Sequence, residues 1–123
     1  MISAVRYVPR VVDVYGTDEF ADWYRSLNEQ EQAAVDHLVG LLEQRGVQLG
    51  HPYSSAVKLT RYPLRELRSR STSAPLRIFY AFDPARDAVL IIGGNKKGDD
   101  RFYERMIPLA EQIWEQYLRE QRH

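Results

Sequence analysis

The stretch LRELRSRSTSAPLRIFYAF, residues 64–82, carries Arg65, Arg68, Arg70 and Arg77 against a single acid, Glu66. Further along stand Lys96, Lys97, Arg101 and Tyr103. A guanidinium group is a planar fork that binds phosphate oxygens bidentately, and an ammonium group adds compact point charge. Together with a phenol they suit a phosphodiester, and they could stabilise charge developing on phosphorus during transfer. Each residue also has a plainer reading. An arginine on an edge strand commonly does no more than keep that edge solvated, and this reading leads for Arg65 and Arg70 taken singly. Lys96-Lys97 is uninformative alone. Phe79, Tyr80 and Phe82 read first as packing residues and only second as platforms for stacked bases. His37 and His123 read as bystanders, and His51 lies in a loop that could bring it to the site. No metal-ligand spacing, glycine-rich phosphate loop or nucleophile elbow is present, so chemistry without metal or cofactor is the default.

The elements that must position these groups follow from pattern. A short strand is expected around Val11–Tyr15. A helix then opens with Thr17 as N-cap and Asp18 and Glu19 in its first turn, where acids suit the helix dipole. Asn28 and Glu31 have the spacing of a capping box, opening a second helix. There Ala34, Val35, Leu38, Leu41 and Leu42 fall at the helical period, and Gly46 is a C-cap. Four strands are expected at Ala56–Thr60, Leu64–Arg70, Leu76–Phe82 and Ala88–Gly93. Their short connections, DPARD (Asp83–Asp87) among them, imply antiparallel neighbours. AVLIIGG is apolar throughout, as in a strand covered on both faces. The segment from Asp99 onward reads as a helix interrupted or opened at Pro108.

The order β-αα-ββββ-α predicts an α+β fold of two layers, a mostly antiparallel twisted sheet with helices over one face. The other face is then open. Alternation puts Glu66, Arg68 and Arg70 on one face of their strand and Arg65 on the other. Arg68 and Arg77 are expected on the open, exposed face, with Lys96 and Lys97 beside them and Tyr103 at the rim.

A chain of 123 residues suffices for one domain, residues 1–123. It contains no cysteine, and no run approaches the ~20 apolar residues of a membrane span. A cytoplasmic protein is expected. Net charge is zero but unevenly spread. Residues 1–55 carry 4 basic and 8 acidic side chains, residues 56–103 carry 10 and 5, and residues 104–123 carry 3 and 4. A basic middle between acidic ends suggests one anion-binding face.

These residues resemble the RelE/ParE-type toxin superfamily, most closely its phage-derived HigB-like branch. The signs are Gly46, Leu49-Gly50, Pro52, Lys58-Leu59, Glu66-Leu67-Arg68, Arg77-Ile78 and Lys96-Lys97. They extend over roughly residues 10–118, and Leu-x-Glu-Leu-Arg, Arg-Ile-x-Tyr and the following Lys-Lys are the most specific. The resemblance implies a ribosome-dependent mRNA endonuclease of a type II toxin–antitoxin pair, working by attack of a ribose 2′-OH without metal. By position it implies catalytic roles for Arg68, Arg77, Lys97 and Tyr103, and RNA contacts from Lys58, Arg65, Lys96 and Arg101. Expected partners are the ribosome, mRNA and a small helix-turn-helix antitoxin, with no membrane. Two departures stand out: Leu64 and Glu66 replace the paired lysines of some RelE members, and GDDRFYERMIP differs from the usual Thr-Pro start of the last helix. The alternative is an inactive or gyrase-directed, ParE-like relative that acts by protein binding.

Overall fold

The computed structural model describes residues 10–71 and 73–121; His123 lies outside them. The two N-terminal helices begin where side chains satisfy their free N–H groups. Thr17 Oγ1 accepts from the Phe20 N–H at 3.0 Å and donates to the Ile91 carbonyl at 2.6 Å, starting α1 (Asp18–Arg25) and tying it to the sheet. Asn28 and Glu31 form the reciprocal capping box that opens α2 (Glu29–Arg45), and Gly46 closes it with φ 53°. Asn28→Ala should cost about 1 kcal/mol, and an unchanged denaturation midpoint would contradict the capping role.

Five strands form one sheet in the order β1-β5-β4-β3-β2. They are β1 (Val14–Gly16), β2 (Ser54–Ala56), β3 (Arg65–Arg68), β4 (Leu76–Phe82) and β5 (Ala88–Asn95). β1 runs parallel to β5 and every other pair is antiparallel. The α+β class and the mostly antiparallel sheet are as expected, and β4 has the expected bounds. β2 does not: it ends at Ala56 instead of running to Thr60. Leu59 has φ 61°, a left-handed conformation that no strand continues. β3 also stops short, at Arg68, because Ser69 leaves the ladder to bond Ala74 and Leu76 across the connection.

Helices lie on both faces of the sheet, not one. Leu67, Ile78, Tyr80 and Leu90 pack with Val35, Leu38 and Leu42 of α2 and Phe20 of α1. Phe79, Ala81, Val89 and Ile91 pack with Phe102, Met106, Ala110, Ile113 and Trp114 of α3 (Phe102–Glu120). The expected open face is therefore largely roofed by the C-terminal helix. An apolar stripe at the helical period required a buried surface, and the remaining sheet face was the surface available. α3 runs through Pro108, which is exposed.

Two features let α3 approach closely. A bulge pairs Phe79 with Ile92 but Tyr80 with Leu90, so Ile91 is the extra residue and both isoleucines join the α3 side. Gly94 faces α3, where a Cβ would lie 2.9 Å from the Phe102 ring. At the far end of the helix, Tyr117 donates to Asp83 Oδ2 at 2.8 Å. Burial, then the Asp83 carboxylate, raises the Tyr117 phenol from 10.0 to about 12. Because the folded value lies above the unfolded one, this contribution to stability is intact below pH 10 and is lost as pH rises toward about 12. Alkaline unfolding curves of wild type and Tyr117→Phe should converge over that window; parallel curves would contradict the linkage.

Candidate active site

β3 and β4 bring Glu66, Arg68, Arg77 and Phe79 onto the α3 side, since Arg68 pairs with Arg77 and Glu66 with Phe79. α3 begins at the sheet end where these charges sit. Just before it, Asp99 accepts from the Arg101 N–H at 3.1 Å and from the Arg105 guanidinium. The first turn then places Tyr103 over β3.

Tyr103 donates its hydroxyl proton to Glu66 Oε1 at 3.0 Å, and Arg68 Nε lies 3.8 Å from the same oxygen. Glu66 is buried, and its Oε2 has no hydrogen-bond partner among the described residues. Burial, then the Glu66 carboxylate, raises the Tyr103 pKa, while Arg77 opposes the shift. Tyr103 is therefore a protonated donor near neutral pH. Lys96 Nζ stands 5.4 Å from the centre of the Tyr103 ring, a cation–π contact that puts a second cation at the phenol. Beside this group opens a cavity of about 360 Å³ lined in part by Lys58, Glu66, Arg68 and Tyr103.

The structure brings together Arg68, Tyr103, Lys58 and Lys96 of the expected residues. Lys97 is exposed in the turn after β5, with its N–H on Asn95 Oδ1, and Arg101 is exposed just before α3. Arg65 faces the other way: it pairs with Tyr80 and donates to Ser54 Oγ and the Tyr80 hydroxyl on the α2 side. It does not join the cavity. Arg77 is not exposed as expected. It retains 6% exposure, and its Nη1 donates to the Leu76 carbonyl at 2.9 Å and the Ser69 carbonyl at 3.5 Å. With Nη1 spent on backbone and Nε buried without a hydrogen-bond partner among the described residues, Arg77 is a structural cation beneath the site more than a free fork. His51 is exposed outside the cavity lining, and His37 is exposed with its ring edge-on to Tyr53.

Glu66 is the residue that sequence reasoning left out of the site. Its signal was present: it shares strand parity with Arg68, and a lone acid among arginines needs a reason to be there. Among the described residues no group of three or more His, Cys, Asp or Glu side chains could hold a metal ion, and no helix is long and apolar enough to cross a membrane.

A sheet of this order with a helical hairpin on one face and a long helix on the other is the fold of RelE-type toxins. The chain superposes on a free-state double arginine-to-alanine mutant of E. coli toxin RelE with a TM-score of 0.55, covering 77% of this chain and 94% of that one at 9% identity. Residues 22–115 match the model of the phage-derived protein Gp49-like family, and the chain belongs to that family. It is 42% identical over 98 residues to the putative toxin HigB3 of Mycobacterium tuberculosis, covering 78% of this chain and 84% of that protein. It is 31% identical over 104 residues to the putative toxin HigB2 of the same organism, covering 82% of this chain and 52% of that protein. The chain thus groups with the HigB-type toxins by sequence and shares the fold of RelE.

Proposed function

We propose that residues 1–123 form one toxin domain of a toxin–antitoxin pair, acting in the cytoplasm as a ribosome-dependent mRNA endonuclease. The observation that carries this reading is the Tyr103–Glu66–Arg68 cluster, a buried carboxylate contacted by a phenol and a guanidinium on the wall of a cavity that Lys58 and Arg68 also line. In this reading the ribose 2′-oxygen attacks the adjacent phosphorus. The P–O5′ bond breaks, leaving a 2′,3′-cyclic phosphate and a 5′-hydroxyl. The 2′-OH proton passes to water in the open cavity, and the protonated Tyr103, oriented by Glu66, gives one to the departing O5′. Arg68 and Lys96 hold the phosphoryl oxygens, with Lys58 and the outlying Lys97 and Arg101 along the RNA backbone. Arg77 adds positive potential from below.

Because burial raises the Tyr103 pKa, its proton is retained across the neutral and mildly alkaline range. Cleavage should show no loss from this acid between pH ~7 and ~9, whereas Tyr103→Phe should slow it about 10²–10⁴-fold. The check is product analysis and a pH–rate profile for both proteins. A 5′-phosphate product, or full activity in Tyr103→Phe, would overturn these assignments.

The antitoxin follows from charge. Residues 56–103 carry 10 basic against 5 acidic side chains, so an acidic segment of the small helix-turn-helix partner covers the cavity and its basic rim. Charge reversal at Lys97 should weaken that complex and reduce its salt dependence; indifference to both would rule out an electrostatic mode.

A further inference from the structure

The loop between β2 and β3 is held rigidly, yet it presents a leucine to solvent. Glu111 Oε2 of α3 accepts from Thr60 Oγ1 at 2.7 Å and from the Arg61 N–H at 2.8 Å. Arg61 Nη2 lies 2.7 Å from Glu115 Oε1. Both anchors fall directly after Leu59, which is 97% exposed and has φ 61°. A left-handed backbone is unfavourable for leucine, and full exposure of the side chain returns nothing for it. The side chain lines the mouth of the same cavity as Lys58 and Arg68, together with Val57 and Ile107.

We propose that this loop and α3 form a clamp for one unpaired nucleobase of the substrate RNA, with Leu59 and Ile107 as apolar walls and Lys58 and Arg68 on its flanking phosphate. The proposal rests on the ribonuclease reading and names what its cavity selects. Three features point to this occupant. The lining is apolar with cations on the rim, the distribution a nucleotide carries in reverse. A volume of about 360 Å³ is at the small end of ligand cavities and is ample for one base. Unpaired RNA bases are generally read by being splayed out and seated against side chains. Leu59 is then a specificity-determining residue, pre-positioned because its loop is already ordered on α3.

The probe is 2-aminopurine riboside 3′,5′-bisphosphate, whose fluorescence is sensitive to its stacking environment, titrated into the full chain. The expected result is a saturable fluorescence change that the bisphosphate lacking the base reverses only at much higher concentration. Leu59→Asn should weaken probe binding about tenfold, the order of one lost stacking contact. Asparagine tolerates the left-handed backbone and no buried surface is removed, so the unfolding temperature should not fall. Equal displacement by the base-free bisphosphate, or unchanged binding in Leu59→Asn, overturns the clamp. So does loss of antitoxin affinity in Leu59→Asn with probe binding intact, which would assign the cavity to a protein side chain. Ribosome assays on the same proteins separate the two levels. Base-dependent binding without RNA cleavage would keep the clamp and remove the nuclease reading. Cleavage without base-dependent binding would do the reverse.

Discussion

Replacing Arg68 by alanine should lower RNA cleavage about 10²–10³-fold, the usual cost of one donor aimed at developing charge, and leave the fold standing. The guanidinium is one-third exposed, and its contact with Glu66 is long at 3.8 Å. A partly exposed pair of that kind adds little to stability. Its value lies in what it faces, since it is the arginine that reaches both the carboxylate and the cavity. Arg68→Lys keeps the charge and loses the fork, so it should fall between wild type and alanine. Equal cleavage by Arg68→Ala and wild type, with matched melting curves, would remove this residue from the site.

The opposite pattern is expected one strand away. Arg77→Ala should destabilise the protein by about 2–4 kcal/mol, because it deletes a buried side chain and its hydrogen bonds to the Leu76 and Ser69 carbonyls. For a chain of this size that is a drop of roughly 10 °C in melting temperature. Activity will also fall, but through unfolding and through lost potential at Tyr103. Melting temperature therefore separates the two arginines where a toxicity assay alone would score them alike. An unshifted Tm in Arg77→Ala would contradict the structural role and return Arg77 to the phosphate.

This contrast also marks how far the sequence could be read. Local signals were sufficient where the physics is local: Thr17 and Asn28 cap the helices they were expected to cap, and β4 has its expected ends. Register was the missing quantity. Parity grouped Glu66 with Arg68, but only the β3–β4 pairing and the position of α3 show that Arg77 is roofed while Arg68 stays open. Parity did put Arg65 on the face opposite Arg68, but its bond to Tyr80 is known only from the ladder. The early end of β2 was invisible because leucine carries no left-handed signal; the residues that follow Leu59, Thr60 and Arg61, are held by Glu111 of α3, far along the chain. Tyr103 lies in the stretch that departs from the usual start of the last helix, yet it bonds directly to Glu66.

The central claim is metal-independent cleavage that needs the ribosome. A chain of 123 residues offers little surface to orient free RNA, and proximity supplied by a larger scaffold can be worth about 7–11 kcal/mol. The most direct measurement is primer extension on one mRNA, with purified protein, in the presence and absence of translating ribosomes. Chelator is added to the free-RNA arm and titrated in the ribosome arm up to the limit of ribosome integrity. Discrete cuts are expected on ribosomes at every tolerated chelator level, and none on free RNA. Efficient magnesium-dependent cleavage of free RNA would contradict it, and inhibition of gyrase with no RNA cleavage in either arm would place the protein with the gyrase-directed relatives.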